Sequence, residues 1–297
     1  MSALRSLILA AADSPRLQRF VQRYGFRLGA ARFVAGETLD DAVPVLRRLN
    51  DDGLLTNTTL LGEGVRDEAE TRAVVAAYTE VLDRIHTEGL RTNLAVKLTH
   101  LGLSIDEELA RRNVSELVEH AASVGNFLRM DMEESRTVDA TLRIYRRLRE
   151  EGHANVGTVL QAYLFRAEDD LAALLPLAPN LRIVKGAYLE PPEIAYPQKR
   201  DVDAAYARLV EASLEGGGFT AVATHDETLI EHAIATTTVT SRAVERSAAR
   251  PAPRGRSPAA SSATETTSAS GRARGRAGRR RRSRGRRARA GRRGRAR

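Results

Sequence analysis

Polar or ionisable side chains follow each of six short apolar segments in this sequence of 297 residues. In chain order they belong to Glu63, Lys97, Asp131, Gln161, Lys185 and the triplet Thr224-His225-Asp226. Brought together, two lysines, a carboxylate and an amide, with Arg182 from within the fifth segment, would suit an anionic ligand that carries a polar heterocyclic ring. Each residue alone also fits an ordinary structural role, such as a solvated lysine or a helix-capping aspartate. The chemistry therefore depends on the elements that position these side chains.

The elements that carry these residues are predicted from the alternation of two kinds of segment. Short apolar runs rich in β-forming residues start 24 to 38 residues apart, and longer amphipathic runs separate them. The predicted strands are Leu54–Leu61, Thr92–Leu98, Asn126–Met132, Gly157–Tyr163, Leu181–Ala187 and Phe219–Thr224. The predicted helices are Asp67–Glu88, Ile105–Ala122, Ser135–Glu151, Ala167–Leu175 and Asp201–Leu214. Continuous apolar strands separated by helices at this spacing indicate parallel βα units.

Two architectures contain such units, an open doubly wound sheet and a (βα)8 barrel. A dinucleotide-binding doubly wound sheet is expected to carry G-x-G-x-x-G after its first strand, and the sequence Leu61-Gly-Glu-Gly64 lacks that spacing. Polar residues end nearly every predicted strand, which favours a barrel, where the carboxyl ends of all strands converge on one mouth. We therefore predict an α/β fold of the (βα)8 TIM-barrel type, with about six βα units visible in the sequence.

The composition divides the chain into three parts. Residues 1–50 are predicted to form a helical lead-in, with Leu17, Phe20 and Val21 at helical spacing, and residues 51–235 to form the incomplete barrel. Residues 236–297 hold 20 arginines, no lysine and two glutamates, a net charge of +18. Residues 1–235 hold 27 basic and 36 acidic side chains, a net charge of −9. The tail lacks Leu, Ile, Phe, Tyr and Met, so we predict that it is disordered and binds polyanions nonspecifically.

Several kinds of site are excluded by composition. The absence of cysteine excludes disulfides, thiolate metal sites and cysteine nucleophiles. The six histidines show no metal-ligand spacing, so no metal site is predicted. No apolar run reaches the roughly 18–20 residues that a membrane span needs, and we expect a cytoplasmic protein.

Five short strings on the predicted strands point to a known family. They are Ala95-Val-Lys-Leu98, Met130-Asp-Met-Glu133, Leu160-Gln-Ala-Tyr163, Leu181-Arg-Ile-Val-Lys-Gly-Ala-Tyr188 and Ala223-Thr-His-Asp226. In these strings and in their order the sequence resembles the proline dehydrogenase family, over roughly residues 20–235. The lead-in string Arg32-Phe-Val-Ala-Gly36 and the string Leu61-Gly-Glu63 also resemble that family. The string in the fifth strand is the most specific of them.

The resemblance implies a distorted (βα)8 barrel that holds FAD noncovalently across its mouth. The implied activity is hydride transfer from C5 of L-proline to flavin N5, which forms Δ1-pyrroline-5-carboxylate, followed by electron transfer to a membrane quinone. Peripheral contact with the inner face of the membrane is therefore expected. Asp131 matches the active-site aspartate of the family, and Arg182 matches the arginine near flavin N5. Lys97 matches the lysine that pairs with the proline carboxylate, and Tyr188 matches the tyrosine beside the substrate.

The resemblance also assigns residues that hold the cofactor. In chain order they are Met132, Gln161, Lys185, Gly186, Ala187, Thr224 and His225. The first two match flavin contacts, the next three a segment that lines the cofactor, and the last two contacts toward its dinucleotide end. A glycine at position 186 fits that role because a side chain could block the close approach of the backbone to a ligand.

The sequence departs from the family after the sixth predicted unit, where the family continues with two more βα units. Those units carry a tyrosine and two arginines that clamp the proline carboxylate, so we expect impaired activity in this chain. The resemblance breaks within Glu227–Ala235, and the tail is rich in residues with GC-rich codons, which favours a shifted reading frame. Two other functions stay open. One is a catalytically inactive barrel fragment that binds nucleic acid through its arginine-rich tail, and the other is a barrel enzyme for a phosphorylated substrate.

Overall fold

Helices and strands alternate along the part of the chain that the computed structural model describes, residues 34–62 and 64–248. The strands are β1 (Thr56–Thr58), β2 (Thr92–Lys97), β3 (Leu128–Asp131), β4 (Val156–Gln161), β5 (Asn180–Val184) and β6 (Phe219–Val222). The helices are α1 (Leu39–Asp51), α2 (Glu68–Thr87), α3 (Glu107–Ser123), α4 (Ser135–Glu150), α5 (Ala167–Leu174), α6 (Lys199–Glu215) and α7 (Glu227–Ala248). The helix predicted around Leu17 and the tail from residue 249 lie outside the described residues.

The six strands form one sheet in which every neighbouring pair is parallel and the spatial order follows the chain order. A doubly wound sheet would reverse its strand order at a switch point, and the sheet of residues 56–222 contains no such reversal. The edges of the described sheet are β1 and β6. The prediction of a barrel-type α/β fold with six βα units is confirmed, in the form of a half-barrel with helices around it.

The side chains of each strand alternate between the helices outside the sheet and its inner face. In β2, Leu94 is fully buried, whereas Lys97 at the carboxyl end is half-buried. The register places Lys97 beside Asp131 at the end of β3, and Val159 of β4 beside Arg182 of β5. Because all strands run in one direction, the residues that follow them meet at one edge of the sheet.

The helices cover the outer face of the sheet with apolar stripes. Tyr78 and Leu82 of α2 and Tyr145 and Leu148 of α4 are fully buried, at the spacing of one helix face. Burying one large apolar side chain stabilises the fold by about 1.5–3 kcal/mol, so these stripes fix the helices against the strands. The helices α2 to α6 end within two residues of their predicted limits. None of the described helices combines the length and the apolar character that crossing a membrane requires.

The strands are shorter than the sequence predicts. β1 covers only three residues of the predicted segment 54–61, and Leu55 and Leu61 are exposed. As an edge strand of the described sheet, β1 pairs with β2 alone. The apolar residues before and after it therefore have no second neighbouring strand to pair with. β5 ends at Val184, and Lys185 therefore lies in the loop that follows. Apolar composition alone thus overestimates the length of the hydrogen-bonded ladder.

The last described helix, α7, runs without a break from Glu227 to Ala248. Residues 236–248, which we expected to belong to a disordered tail, are therefore helical. Thr236, Thr237 and Thr238 donate their hydroxyl hydrogen bonds to carbonyl groups four residues earlier. Once a helix has nucleated on a packed first turn, each further residue is added at little cost. The helix therefore continues past residue 235, where the apolar pattern of the sequence ends.

Asp106 caps the start of α3, and replacing it tests how much this cap stabilises the fold. Its side chain accepts a hydrogen bond of 2.8 Å from the amide of Leu109. We expect Asp106→Ala to lower the free energy of unfolding by about 1 kcal/mol, because an amide at the helix start loses its acceptor. Gln198 holds the same position before α6 without a side-chain cap, so Gln198→Ala is the matched control. Equal losses in urea unfolding would contradict the capping role.

Candidate functional site

A cavity of about 650 Å³ lies at the carboxyl ends of β2 to β6. Its walls include all eleven residues that the resemblance assigns to substrate, cofactor or chemistry. These are Lys97, Asp131, Met132, Gln161, Arg182, Lys185, Gly186, Ala187, Tyr188, Thr224 and His225. The lining is completed by Val159, Val184, Ala223 and Asp226. Glu63, the other strand-end residue, lies outside the described residues. The cavity combines apolar walls with a few charged groups, as ligand sites do.

Asp131 and Arg182 form an ion pair across the inner face of the sheet. Nη2 of Arg182 donates a hydrogen bond of 2.5 Å to Oδ1 of Asp131. The side chain of Asp131 is 20% exposed and that of Arg182 is 26% exposed. Burial raises the pKa of Asp131 above its ordinary value of 3.8, and the charges of Arg182, Lys97 and Arg129 oppose that rise. The carboxylate therefore depends on these cations to remain ionised.

The inner face around this pair carries more positive than negative charge. Lys97 on β2, Arg129 on β3 and Arg182 on β5 surround Asp131. Nε of Arg182 is buried and has no hydrogen-bond partner among the described residues. A buried donor without a partner costs about 1–3 kcal/mol, so an acceptor atom of a ligand would offset that loss. The arrangement suits an anionic group in the cavity.

Lys185 is held by two carboxylates at the edge of the cavity. Its Nζ donates to Oδ1 of Asp203 at 2.5 Å and to Oδ2 of Asp226 at 3.1 Å. Lys199, at the start of α6, donates to the same two carboxylates. Hydrogen bonds from Lys199 and Lys185 lower the pKa of Asp226 to about 2. The four charges neutralise one another, so the network positions Lys185 without adding net charge.

Gln161 and Met132 lie in the wall and are almost fully buried. Nε2 of Gln161 donates a hydrogen bond of 2.8 Å to the carbonyl of Glu133, which fixes the plane of the amide. The buried carboxylate of Glu133 accepts from the amide of Thr99 at 3.0 Å and from its hydroxyl. These bonds fix the loop after β3 that carries Met132.

Tyr188 lies in the loop between β5 and α6, close to an anchored part of the chain. Burial, assisted by the charges of Glu133 and Asp131, raises the pKa of its hydroxyl to about 12. Glu190 accepts hydrogen bonds of 2.7 Å from the amide and the hydroxyl of Ser135 at the start of α4. Because its pKa is raised, the hydroxyl of Tyr188 is protonated at neutral pH and able to donate a hydrogen bond into the cavity.

Gly186 has a φ of 116°, in the region that glycine alone adopts readily. A Cβ at this position would collide with the ring of Tyr163. The amide of Tyr163 donates a hydrogen bond of 2.9 Å to the carbonyl of Lys185, so the ring and the loop are held together. We expected this glycine to permit the close approach of a ligand. The contact with Tyr163 is an independent reason for it.

Thr224 and His225 line the cavity after β6. Oγ1 of Thr224 accepts a hydrogen bond of 3.1 Å from the amide of Asp226, so His225 lies between the two ends of a tight turn. Within residues 34–62 and 64–248, no group of three or more His, Cys, Asp or Glu side chains is placed to hold a metal ion.

Three charged residues beside the cavity were not predicted from the sequence. Arg129 lies within β3, two residues before Asp131, and this period of two was the available signal. Asp203 and Lys199 are four residues apart on α6, a spacing typical of exposed helix pairs. That spacing gave no indication that both residues reach the loop after β5.

The sequence matches a family model described as proline dehydrogenase over residues 42–249, beyond the break that we placed before residue 236. Proline dehydrogenase 1 of Bacillus subtilis strain 168 is 39% identical over 227 residues, which cover 76% of this chain and 75% of the relative. A proline dehydrogenase of Deinococcus radiodurans is 39% identical over 231 residues, which cover 76% and 74%. Nothing in these matches favours the nucleic-acid-binding alternative.

Solved structures extend the likeness to the fold. The crystal structure of proline utilization A (PutA) from Bdellovibrio bacteriovorus, inactivated by N-propargylglycine, superposes with a TM-score of 0.68 at 21% identity. The match covers 76% of this chain but only 28% of that larger chain. At this identity the likeness concerns the barrel-type fold alone.

The raised pKa of Asp131 predicts a pH dependence of stability. The native state binds this proton more tightly than the unfolded chain does, so its contribution to stability is present at low pH and is lost as the pH rises from about 3.8 through the native pKa. Relative to Asp131→Asn, the wild type should therefore lose stability as the pH rises above about 3.8. Asp226, whose pKa is lowered to about 2, predicts the opposite slope for the wild type relative to Asp226→Asn. Urea unfolding at several pH values measures both, and slopes of the same sign would contradict the assignment.

The contact at Gly186 predicts a strong effect of a single methyl group. Gly186→Ala should destabilise the fold by roughly 1–3 kcal/mol, because both the positive φ and the ring of Tyr163 oppose a Cβ. Gly125 has a φ of 70° and no atom within 4 Å of the position of a Cβ, so Gly125→Ala pays the backbone term alone. We expect thermal unfolding to show the larger loss for Gly186→Ala. A loss no larger than that of the control would refute the steric explanation.

Proposed function

Because the chain belongs to the proline dehydrogenase family, we propose that it oxidises L-proline to Δ1-pyrroline-5-carboxylate, the first step of proline degradation. FAD is the proposed cofactor, and a membrane quinone is the proposed electron acceptor. The observation that supports this function best is a cavity lined by the residues that the resemblance assigns to substrate and cofactor, with an excess of positive charge around Asp131.

The residues of the cavity fit a flavin. Side chains of Met132, Val159 and Val184 provide apolar walls for the faces of a flat heteroaromatic ring. The buried Nε of Arg182, without a partner among the described residues, is a donor for a polar edge of that ring. When bound, FAD would supply the two-electron acceptor for the hydride that leaves C5 of proline.

The rest of the cofactor would be held by groups along the carboxyl ends of β4 to β6. The proposed set consists of Gln161, Lys185, Gly186, Ala187, Thr224 and His225. Lys185 reaches this position with its charge balanced by Asp203 and Asp226. An ammonium group held in this way needs no reorganisation to contact a negatively charged or polar group of the ligand.

Lys97 is the proposed partner of the proline carboxylate. It ends β2 on the inner face, beside Asp131 in the register. A fixed cation on the carboxylate sets the orientation of the ring and with it the position of C5. Tyr188, protonated at neutral pH, is the proposed hydrogen-bond donor beside the substrate.

Asp131 and Arg182 are the proposed catalytic pair. In the oxidation, the hydride would leave C5 for the two-electron acceptor, the proton on the ring nitrogen would pass to solvent, and a carbon–nitrogen double bond would remain. The hydride carries negative charge from the proline ring to its acceptor. A cation already in place beside the acceptor would stabilise that charge. Asp131 holds Arg182 in that place through the hydrogen bond of 2.5 Å.

Anaerobic reduction of the flavin tests the proposed function. We expect the purified protein to bind FAD, and L-proline to bleach its visible absorption with formation of one Δ1-pyrroline-5-carboxylate per flavin. The reaction follows from a site that positions C5 beside a two-electron acceptor. D-Proline is the control, because it presents C5 in a different position when its carboxylate is held. Bound flavin that stays oxidised with L-proline would disprove the activity.

Replacement of Lys97 tests its assignment. Lys97→Met should raise the KM for proline roughly 10- to 100-fold at unchanged flavin content, since a hydrogen bond to a charged group is worth about 1.5–3 kcal/mol. Arg143→Met is the matched control, because Arg143 is 58% exposed on α4 and pairs with Glu107 outside the cavity. An equal loss of flavin and of proline saturation in Lys97→Met would contradict the role.

A further inference from the structure

Two polar pairs lie one above the other on the inner face of the sheet. Arg129 precedes Asp131 by two residues on β3, and Asn180 precedes Arg182 by two residues on β5, so all four side chains share that face. Nη2 of Arg129 donates a hydrogen bond of 2.6 Å to Oδ1 of Asn180. The ion pair of Asp131 and Arg182 thus borders the cavity, and the pair of Arg129 and Asn180 forms the layer behind it.

The guanidinium of Arg129 is buried, and the groups that accept its hydrogen bonds are neutral. The residue is 6% exposed. Its Nη1 donates to the carbonyls of Thr158 at 3.0 Å and of Asn180 at 3.2 Å, and its guanidinium lies 5.0 Å from the centre of the Phe127 ring. No salt bridge involves Arg129 among the residues that the structure describes. A buried charge without an ionic partner is costly, so a purely structural role would be served better by a neutral side chain.

The fold reserves space for this guanidinium at Gly157. The register places Gly157 of β4 beside Arg129. A Cβ at Gly157 would lie 2.8 Å from Nη1 of Arg129, 2.7 Å from the Phe127 ring and 2.6 Å from the Asn180 carbonyl. The φ of Gly157 is not positive, so the backbone conformation does not demand glycine. Instead, glycine is required because the Asn180 carbonyl, the Phe127 ring and the Arg129 guanidinium together occupy the space of a Cβ.

Arg129 retains its charge in this position. Burial and the charge of Arg182 lower its pKa to about 10, and below pH 10 the guanidinium is still mostly protonated. Together with Lys97 and Arg182, it leaves three cations around the single carboxylate of Asp131. Glu133, the next buried carboxylate along the chain, is bound by the loop after β2 instead.

We propose that Arg129 is a positioning residue of the site, whose uncompensated charge keeps Asp131 ionised and leaves Arg182 able to hold an anionic group in the cavity. The neutral Asn180 is essential to this role, because a carboxylate there would neutralise Arg129 without displacing it. The identity of the anionic group, the substrate carboxylate or negative charge on the reduced cofactor, rests on the proposed function. The electrostatic role itself does not.

Two variants separate charge from packing. Arg129→Gln removes the cation, whereas Asn180→Asp retains the guanidinium and an oxygen acceptor at Oδ1 but adds a compensating negative charge. Arg143→Gln on the outer face of α4 removes one positive charge as the control. The full chain is used throughout. The measurements are the KM and kcat for L-proline, the midpoint potential of bound FAD, and the titration of the Asp131 carboxyl by ¹³C NMR in the protein without ligand.

We expect Asn180→Asp and Arg129→Gln to act in the same direction. In each variant the KM for proline should rise about tenfold with a smaller change in kcat, because the anion is held less well. The potential of the flavin should fall by about 30 mV, the equivalent of a tenfold change for a two-electron couple. The Asp131 carboxyl should titrate at higher pH, because a nearby positive charge is removed or neutralised. Arg143→Gln should change none of these.

The outcomes are distinguishable from a failure of the proposed function. If proline does not reduce the wild-type flavin, the proposed function is disproved, and the potential and the Asp131 titration still test Arg129. If the titration of Asp131 in Asn180→Asp is the same as in the wild type, the electrostatic role is overturned, whatever happens in Arg129→Gln. A folded Arg129→Gln variant with unchanged KM, potential and titration would overturn it as well.

Discussion

Three cations surround one half-buried carboxylate on the inner face of the half-barrel, and the other features of the site follow from this imbalance. Asp131 holds Arg182, while Lys97 and Arg129 reduce the cost of keeping Asp131 ionised. Removing a carboxylate from water is unfavourable unless cations and hydrogen bonds replace the solvent. These three cations outnumber the single negative charge of Asp131, so the cavity can bind a further negative group.

The parallel sheet makes this arrangement possible. Six strands in chain order bring the ends of distant segments to one edge, where residues 34 apart in the sequence, such as Lys97 and Asp131, become neighbours. The apolar outer faces of the strands and the buried stripes of the helices supply the stability. The inner face can then hold charged groups and a buried arginine, each unfavourable alone, because the packed layers around it keep their positions.

Two glycine residues leave space for larger neighbouring groups. Gly157 leaves room for the guanidinium of Arg129, and Gly186 leaves room for the ring of Tyr163. The second case also fixes the loop that carries Lys185 and continues to Tyr188. A network of two lysines and two aspartates then ties that loop to α6 and to the end of β6. Local packing and neutralised charge thus position groups that face the cavity without changing its net charge.

Much of this site could be predicted from the sequence because strand period and parallel direction are local signals. The residues after each apolar run were expected to meet, and those that the structure describes, including Lys97, Asp131 and Gln161, line one cavity. The partners of Lys185 could not be predicted, because their approach depends on how α6 packs against the loop. Arg129 was overlooked inside an apolar strand, where its neutral acceptors come from β4 and β5. The continuation of α7 past residue 235 was not predicted. A composition poor in large apolar residues argues against burial, but it does not prevent an already formed helix from extending.

If the excess positive charge of the cavity selects an anionic ligand, the carboxylate of proline should contribute strongly to binding. Anaerobic isothermal titration with L-proline and with L-prolinamide measures this contribution when the bound FAD has been reduced beforehand with dithionite, so that proline binds without being oxidised. Prolinamide keeps the ring and replaces the carboxylate by a neutral amide of similar size. We expect the amide to bind at least tenfold more weakly than the acid, a difference of about 1.4 kcal/mol, and added salt to reduce this difference. Equal affinities for the two ligands would show that the positive charge of the cavity does not select the carboxylate.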